Sequence, residues 1–176
     1  MLFVPDWLAA IFTFPGVIVH EWAHKKFCDW TGVRVHKVVY FQPKNLAGYV
    51  IHDQADSGGK MFWISVGPII FNSLLCIACG YAASAAPFNS VSKFVLLWLA
   101  LTIGARAFPS DQDAGNVLER CRQILRAGGS LANFLAYPFY ALIWLANKLR
   151  FFWFDFLYAA LLIALGYALR KNGFLT

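Results

Sequence analysis

The sequence predicts an all-α polytopic membrane protein of about five transmembrane helices, carrying a small cytoplasmic β-hairpin and an interfacial amphipathic helix. Three observations lead to that expectation. Of the 176 residues, 60% are hydrophobic and only 14% charged, with a mean hydropathy of +0.57, which leaves too little polar surface to cover a water-soluble globule. Apolar stretches recur at lengths suited to crossing ~30 Å of hydrocarbon, about 20 residues each as helix. Lysine and arginine gather in alternate loops.

The first crossing is expected at 7–27, where the run from Trp7 to Val19 has no charge. No positive charge precedes Lys25, so a cleavable signal peptide, which needs a basic start, is not expected. Residues 29–60 are too polar to span. Val33, Arg34, Val35 and His36 alternate, Val38 to Phe41 run apolar, and Gln42-Pro43-Lys44-Asn45 precede a second apolar run from Ala47 to His52. Two short strands joined by a turn fit that pattern. His36 and His52 fall on these strands as surface or packing residues. Further crossings are expected at 61–83, 91–108, 131–145 and 151–169; the fourth is short and interrupted by Pro138, so it is re-entrant or tilted if it enters the membrane. Pro109 should end the third. Residues 111–127 place Val117, Leu118, Cys121, Ile124 and Leu125 at helical spacing, an amphipathic helix expected on the inner membrane face. The whole chain is read as a single integral membrane domain.

Lys25, Lys26, Arg34, Lys37, Lys44 and Lys60 crowd the first loop, Arg120, Arg122 and Arg126 the third, and Arg170 and Lys171 the tail; opposite them stand Lys93, Lys148 and Arg150. The positive-inside rule then puts the N-terminus outside and the C-terminus in the cytoplasm. The net charge of +6 belongs mainly to that cytoplasmic face and points to the lipid bilayer, with its anionic headgroups, rather than to nucleic acid. Cys76 and Cys79, spaced CxxC in an apolar helix, are expected to pack, and Cys28 and Cys121 to stay reduced.

Inside the first apolar stretch stands His20-Glu21-Trp22-Ala23-His24. Histidines four residues apart share a helix face and can reach one Zn2+ ion, while Glu21 can hold and deprotonate a water bound there. The same five residues occur by chance as the polar face of a soluble helix. At the end of an apolar helix, however, three ionisable groups are expensive without a partner or a metal.

A third ligand is sought at the same depth. At ~1.5 Å per residue His20 lies about 21 Å from Asp6, which leaves the motif within roughly 10 Å of the inner hydrocarbon boundary. Asp111 and Asp113 follow a helix running in the same direction. Ser110 and Asp113 also read as a helix capping box, so the aspartates have a structural reading and a ligand reading. Two neutral histidines, one carboxylate and Zn2+ carry a net single positive charge, which ionised Glu21 would neutralise, and a neutral site is far cheaper near lipid.

On these residues the chain resembles the site-2 protease family of intramembrane zinc metalloproteases. The resemblance rests on HEWAH in the first helix, Gly32-Val33 leading into strands, Gly67-Pro68 with Asn72 on the next helix, and an aspartate beyond the third. It covers roughly the first two thirds of the chain. It implies that His20, His24 and Asp113, with Asp111 as runner-up, bind zinc, that Glu21 is general base and acid, and that Asn72 serves as an oxyanion or substrate-strand donor. The sequence departs from the family in two places: the aspartates lie in Phe108-Pro109-Ser110-Asp111-Gln112-Asp113 rather than an LDG-like motif, and the proline-to-asparagine spacing is one residue longer. Asn72 has an alternative reading as an interhelical hydrogen-bonding residue.

The expected function is hydrolysis of peptide bonds in a membrane protein or peptide substrate near the cytoplasmic face of a bacterial or archaeal cell membrane. An edge strand of the hairpin could hold an extended peptide, or the hairpin could have no substrate role. No regulatory sensing domain is expected, so substrate choice would rest on the core or on a partner. The alternative is a non-catalytic pseudoprotease or assembly factor that binds membrane helices; an ion transporter would need ionisable groups spread along a path, whereas here they cluster.

Overall fold

The structure, a computed structural model, describes residues 8, 11–42, 47–128, 134–149 and 152–173. Helix α1 (Phe14–Thr31) has Pro15 in its first turn, where the missing N–H costs no hydrogen bond. It stops at Gly32, whose φ of 72° is left-handed. There the Gly32 and Val33 N–H groups donate to Asp29 O and Cys28 O, satisfying carbonyls at the helix end. The chain turns directly into strand β1 (Val35–Gln42), paired antiparallel with β2 (Ala47–His52). Val38 stands opposite Val50 and Val39 opposite Tyr49. The Pro43-Lys44-Asn45 part of the expected turn lies outside the described residues.

Five helices follow: α2 (Gly58–Ala85), α3 (Val91–Gly104), α4 (Asp111–Arg126), α5 (Ala136–Leu149) and α6 (Phe154–Lys171). Ser57 and Ser90 cap α2 and α3, each accepting from the backbone N–H three residues on, as N-cap hydroxyls do. Central α2 packs on α1, α3, α4 and α6. Its contact with α6 is made by small residues: a Cβ placed on Gly166 would lie 2.5 Å from Ile77 O and 3.0 Å from the Gly80 carbonyl carbon. Gly166→Val should therefore push α2 and α6 apart and cost about 1–3 kcal/mol by overpacking. Thermal unfolding of the full chain measures that loss.

Two expectations from the sequence are corrected here. Among the described residues only α2, with 28 residues, is long and apolar enough to cross a membrane, not five helices; α5 from Tyr137 together with α6 would add a second only as one span bent by 99°. Helices α3 and α5 have 14 residues each, about 21 Å at the α-helical rise against ~30 Å of hydrocarbon. Helix α1 has 18 residues, but Glu21, Lys25, Lys26 and Asp29 lie within it. Among the described residues Pro138 falls in the first turn of α5, which begins at Ala136, so it does not interrupt that helix; positions 131–133 of the expected fourth crossing lie outside the described residues.

The second correction concerns α4. Its apolar stripe, Val117, Leu118 and Cys121, is buried in a core with Phe27 and Cys28 of α1, Val33, and Met61 and Ile64 of α2. Amphipathicity marks a face that must be buried, and protein rather than a lipid surface covers it here. That packing brings the start of α4 beside α1.

Candidate metal centre

One face of α1 presents His20 and His24 with ring centroids 4.8 Å apart. The start of α4 supplies Asp113. His20 Nε2, His24 Nε2 and Asp113 Oδ2 form one compact group: 3.1 Å between the histidine nitrogens, and 3.9 and 3.6 Å from His20 and His24 to the carboxylate. Tetrahedral zinc with bonds of 2.0–2.1 Å places its ligand atoms about 3.3 Å from one another. The observed separations bracket that value.

Hydrogen bonds on the far side of each ring settle which nitrogen faces the group. His20 Nδ1 lies 2.7 Å from Arg106 O and His24 Nδ1 lies 2.9 Å from Ile64 O. A backbone carbonyl only accepts, so each Nδ1 carries a proton and each Nε2 is the nitrogen that faces the cluster, offering a lone pair whenever its ring is neutral. Two facing lone pairs and a carboxylate repel unless a cation or a proton sits among them, and backbone carbonyls that receive the far N–H of each histidine, as Arg106 O and Ile64 O do, are a usual second layer of a metal site. The donor set fits zinc.

Asp113 has both of the roles open to it in the sequence. Its carboxylate accepts from Ser110 N at 2.9 Å and from Ser110 Oγ at 2.7 Å, while Ser110 Oγ accepts from Asp113 N at 3.1 Å, a complete capping box. The same Oδ2 faces the histidines. Burial would raise the pKa of Asp113, but hydrogen bonds and charge from His20 and His24, which act when a ring carries a proton on Nε2, outweigh it and hold the carboxyl well below the usual carboxylate range. The carboxylate beside the two rings is thus ionised. Asp111 turns away, accepting from Asn147 Nδ2 at 2.9 Å, and is outside the group.

The cluster lines a cavity of about 370 Å³, with Glu21, Tyr49 and Arg106 on its walls. Glu21 is only 8% exposed, because β2 runs over it. A Cβ on Gly48 would collide with Glu21 Cγ and stand 2.6 Å from Tyr40 O; only glycine allows the hairpin to close so near the carboxylate. Gly48→Ala is expected to displace the hairpin or Glu21 at a cost of about 1–3 kcal/mol, read as a lower unfolding temperature and faster proteolysis within 35–52.

Asn72 is fully buried, and the two N–H groups of its Nδ2 face three carbonyls, Ile103 O and Arg106 O at 3.0 Å each and Gly16 O at 3.3 Å. It ties α1, α2 and the end of α3 together and does not line the cavity. His52, read from the sequence as a surface or packing residue, does line it, with Nδ1 donating to Asp53 O at 2.7 Å. His36 pairs with Asp53 instead. The contributions of Ile64 and Arg106 escaped the sequence because they act through backbone carbonyls, which any residue type provides. Gly48 carried a signal only as a glycine inside a strand, a mark of close approach.

The fold and the centre define a mostly helical chain with a His-His-carboxylate group that could hold a metal ion, beside a glutamate. No known family, no curated protein and no solved structure matches it.

Proposed function

We propose that this chain is a zinc metalloprotease that hydrolyses peptide bonds of membrane-associated substrates near the cytoplasmic face. The observation that carries the reading is the convergence of His20, His24 and Asp113, with Glu21 beside them, on one cavity bordered by a strand. The resemblance of HEWAH to intramembrane metalloproteases supports the same chemistry. Membrane association is supported by α2 as a candidate span and by Leu74, Phe94, Leu142 and Leu161, each more than half exposed, an arrangement that suits lipid better than water.

His20, His24 and Asp113 would hold zinc, which supplies a Lewis acid that polarises the scissile carbonyl and lowers the pKa of water. Glu21 accepts a proton from the attacking water as its oxygen bonds to the carbonyl carbon, and returns that proton to the amine nitrogen as the C–N bond breaks. The low exposure of Glu21 keeps bulk water from competing for that proton. Strand β2 borders the cavity and, among the described residues, pairs only with β1, which leaves its other edge to align an extended substrate by backbone hydrogen bonds.

The test compares membrane proteomes of cells carrying the parent and Glu21→Gln forms. A fragment present only with the parent supports the reading and identifies the substrate. Identical proteomes with zinc bound in both would replace it with a binding role.

A further inference from the structure

The residues of α2 behind the centre form a single device. In a helix the N–H of residue 68 would donate to the carbonyl of residue 64, but Pro68 has no N–H. The Ile64 carbonyl is thereby released from its helical partner, and it is the atom that receives His24 Nδ1–H at 2.9 Å. One turn further on, Asn72 Nδ2 donates to Arg106 O at 3.0 Å, the atom that receives His20 Nδ1–H at 2.7 Å. The second N–H of Asn72 is left to Ile103 O at 3.0 Å and Gly16 O at 3.3 Å, which holds that carbonyl's segment beside α1 and α3. Both side chains are fully buried. Gly67 completes the arrangement, since a Cβ there would collide with the Phe27 ring of α1.

We infer that Pro68 and Asn72 are positioning residues of the metal centre, orienting His24 through the Ile64 carbonyl and His20 through the Arg106 carbonyl. This rests on the metal-centre reading above and assigns Asn72 to the metal rather than to the substrate. A proline inside a helix normally weakens it; here the lost helical bond is exchanged for a fixed histidine. Two residues one helical turn apart set the two rings that share one ion.

The experiment uses the full chain in detergent, with zinc affinity measured by competition against a chromophoric chelator and the Co2+ complex by its visible d–d spectrum. Pro68→Ala restores the N–H that competes for Ile64 O, and Asn72→Ala removes the bond to Arg106 O. Each is expected to weaken zinc binding about 10- to 100-fold, the range for outer hydrogen-bond partners, and to shift the Co2+ bands. The metal-free Pro68→Ala protein should unfold no earlier than the parent, since alanine favours the helix. A merely structural proline or asparagine would change stability and leave affinity and spectrum alone. The control is Ser73→Ala, which breaks the 2.7 Å Ser73–Tyr158 contact on the same helix and should leave both readouts unchanged. Parent-like affinity and spectrum in Pro68→Ala and Asn72→Ala, or an equal loss in Ser73→Ala, would overturn the inference while leaving the metal centre standing. A parent that binds neither ion overturns both.

Discussion

Glu21→Gln is expected to reduce peptide-bond cleavage by about 10²- to 10⁴-fold, the contribution of a positioned general acid-base group, while zinc stays bound. Glutamine keeps the shape and hydrogen-bonding capacity of the side chain but cannot accept and return a proton. Glu21 lies outside the His20, His24 and Asp113 group, so metal content should match the parent. The measurement pairs zinc stoichiometry with cleavage of a membrane-associated substrate by purified protein. Full activity in Glu21→Gln would sink the proposed mechanism, and loss of zinc would move Glu21 from proton carrier to ligand.

Asp113→Asn separates the two roles of Asp113. The asparagine side-chain oxygen can still accept from Ser110 N, so the cap on α4 should largely survive, whereas the negative charge facing the histidines is lost. Zinc affinity should fall by more than the roughly 10- to 100-fold produced by outer hydrogen-bond partners, because a direct ligand has been weakened. Ser110→Ala does the reverse: it breaks the capping box at a cost of about 1 kcal/mol in unfolding and leaves the carboxylate in place. Asp111→Asn disturbs only the contact to Asn147 and should retain parent-like zinc binding. If Asp111→Asn lost zinc and Asp113→Asn did not, the ligand assignment would be wrong.

Part of this centre was legible without coordinates. The spacing of His20 and His24 put them on one helix face, and Ser110 with Asp113 marked the start of α4, because both patterns are local and depend only on helix geometry. The alternation from Val33 to His36, with apolar runs on either side of Gln42-Pro43-Lys44-Asn45, similarly revealed the hairpin. Asp111 and Asp113 could not be separated in this way. They are two residues apart and point in different directions from a helix start, and only the docking of α4 through Val117, Leu118 and Cys121 turns one of them toward α1.

Hydrophobicity overstated the membrane crossings for a related reason. An apolar run reports that a segment avoids water, not how far its helix extends before it breaks. Helix α3 stops at Gly104, and the apolar face of α4 meets protein.

By itself the sequence determined the chemistry on offer: two histidines, a neighbouring glutamate and a capped aspartate, on elements whose local periodicity is unambiguous. Tertiary structure decided which groups meet. It chose Asp113 for the group, placed Gly48 of β2 over Glu21, and brought the Ile64 and Arg106 carbonyls to the backs of the histidine rings. The reason is physical: periodicity is set by bonds within a few residues, whereas His20 and Arg106 are 86 positions apart and are joined by packing that no local pattern encodes.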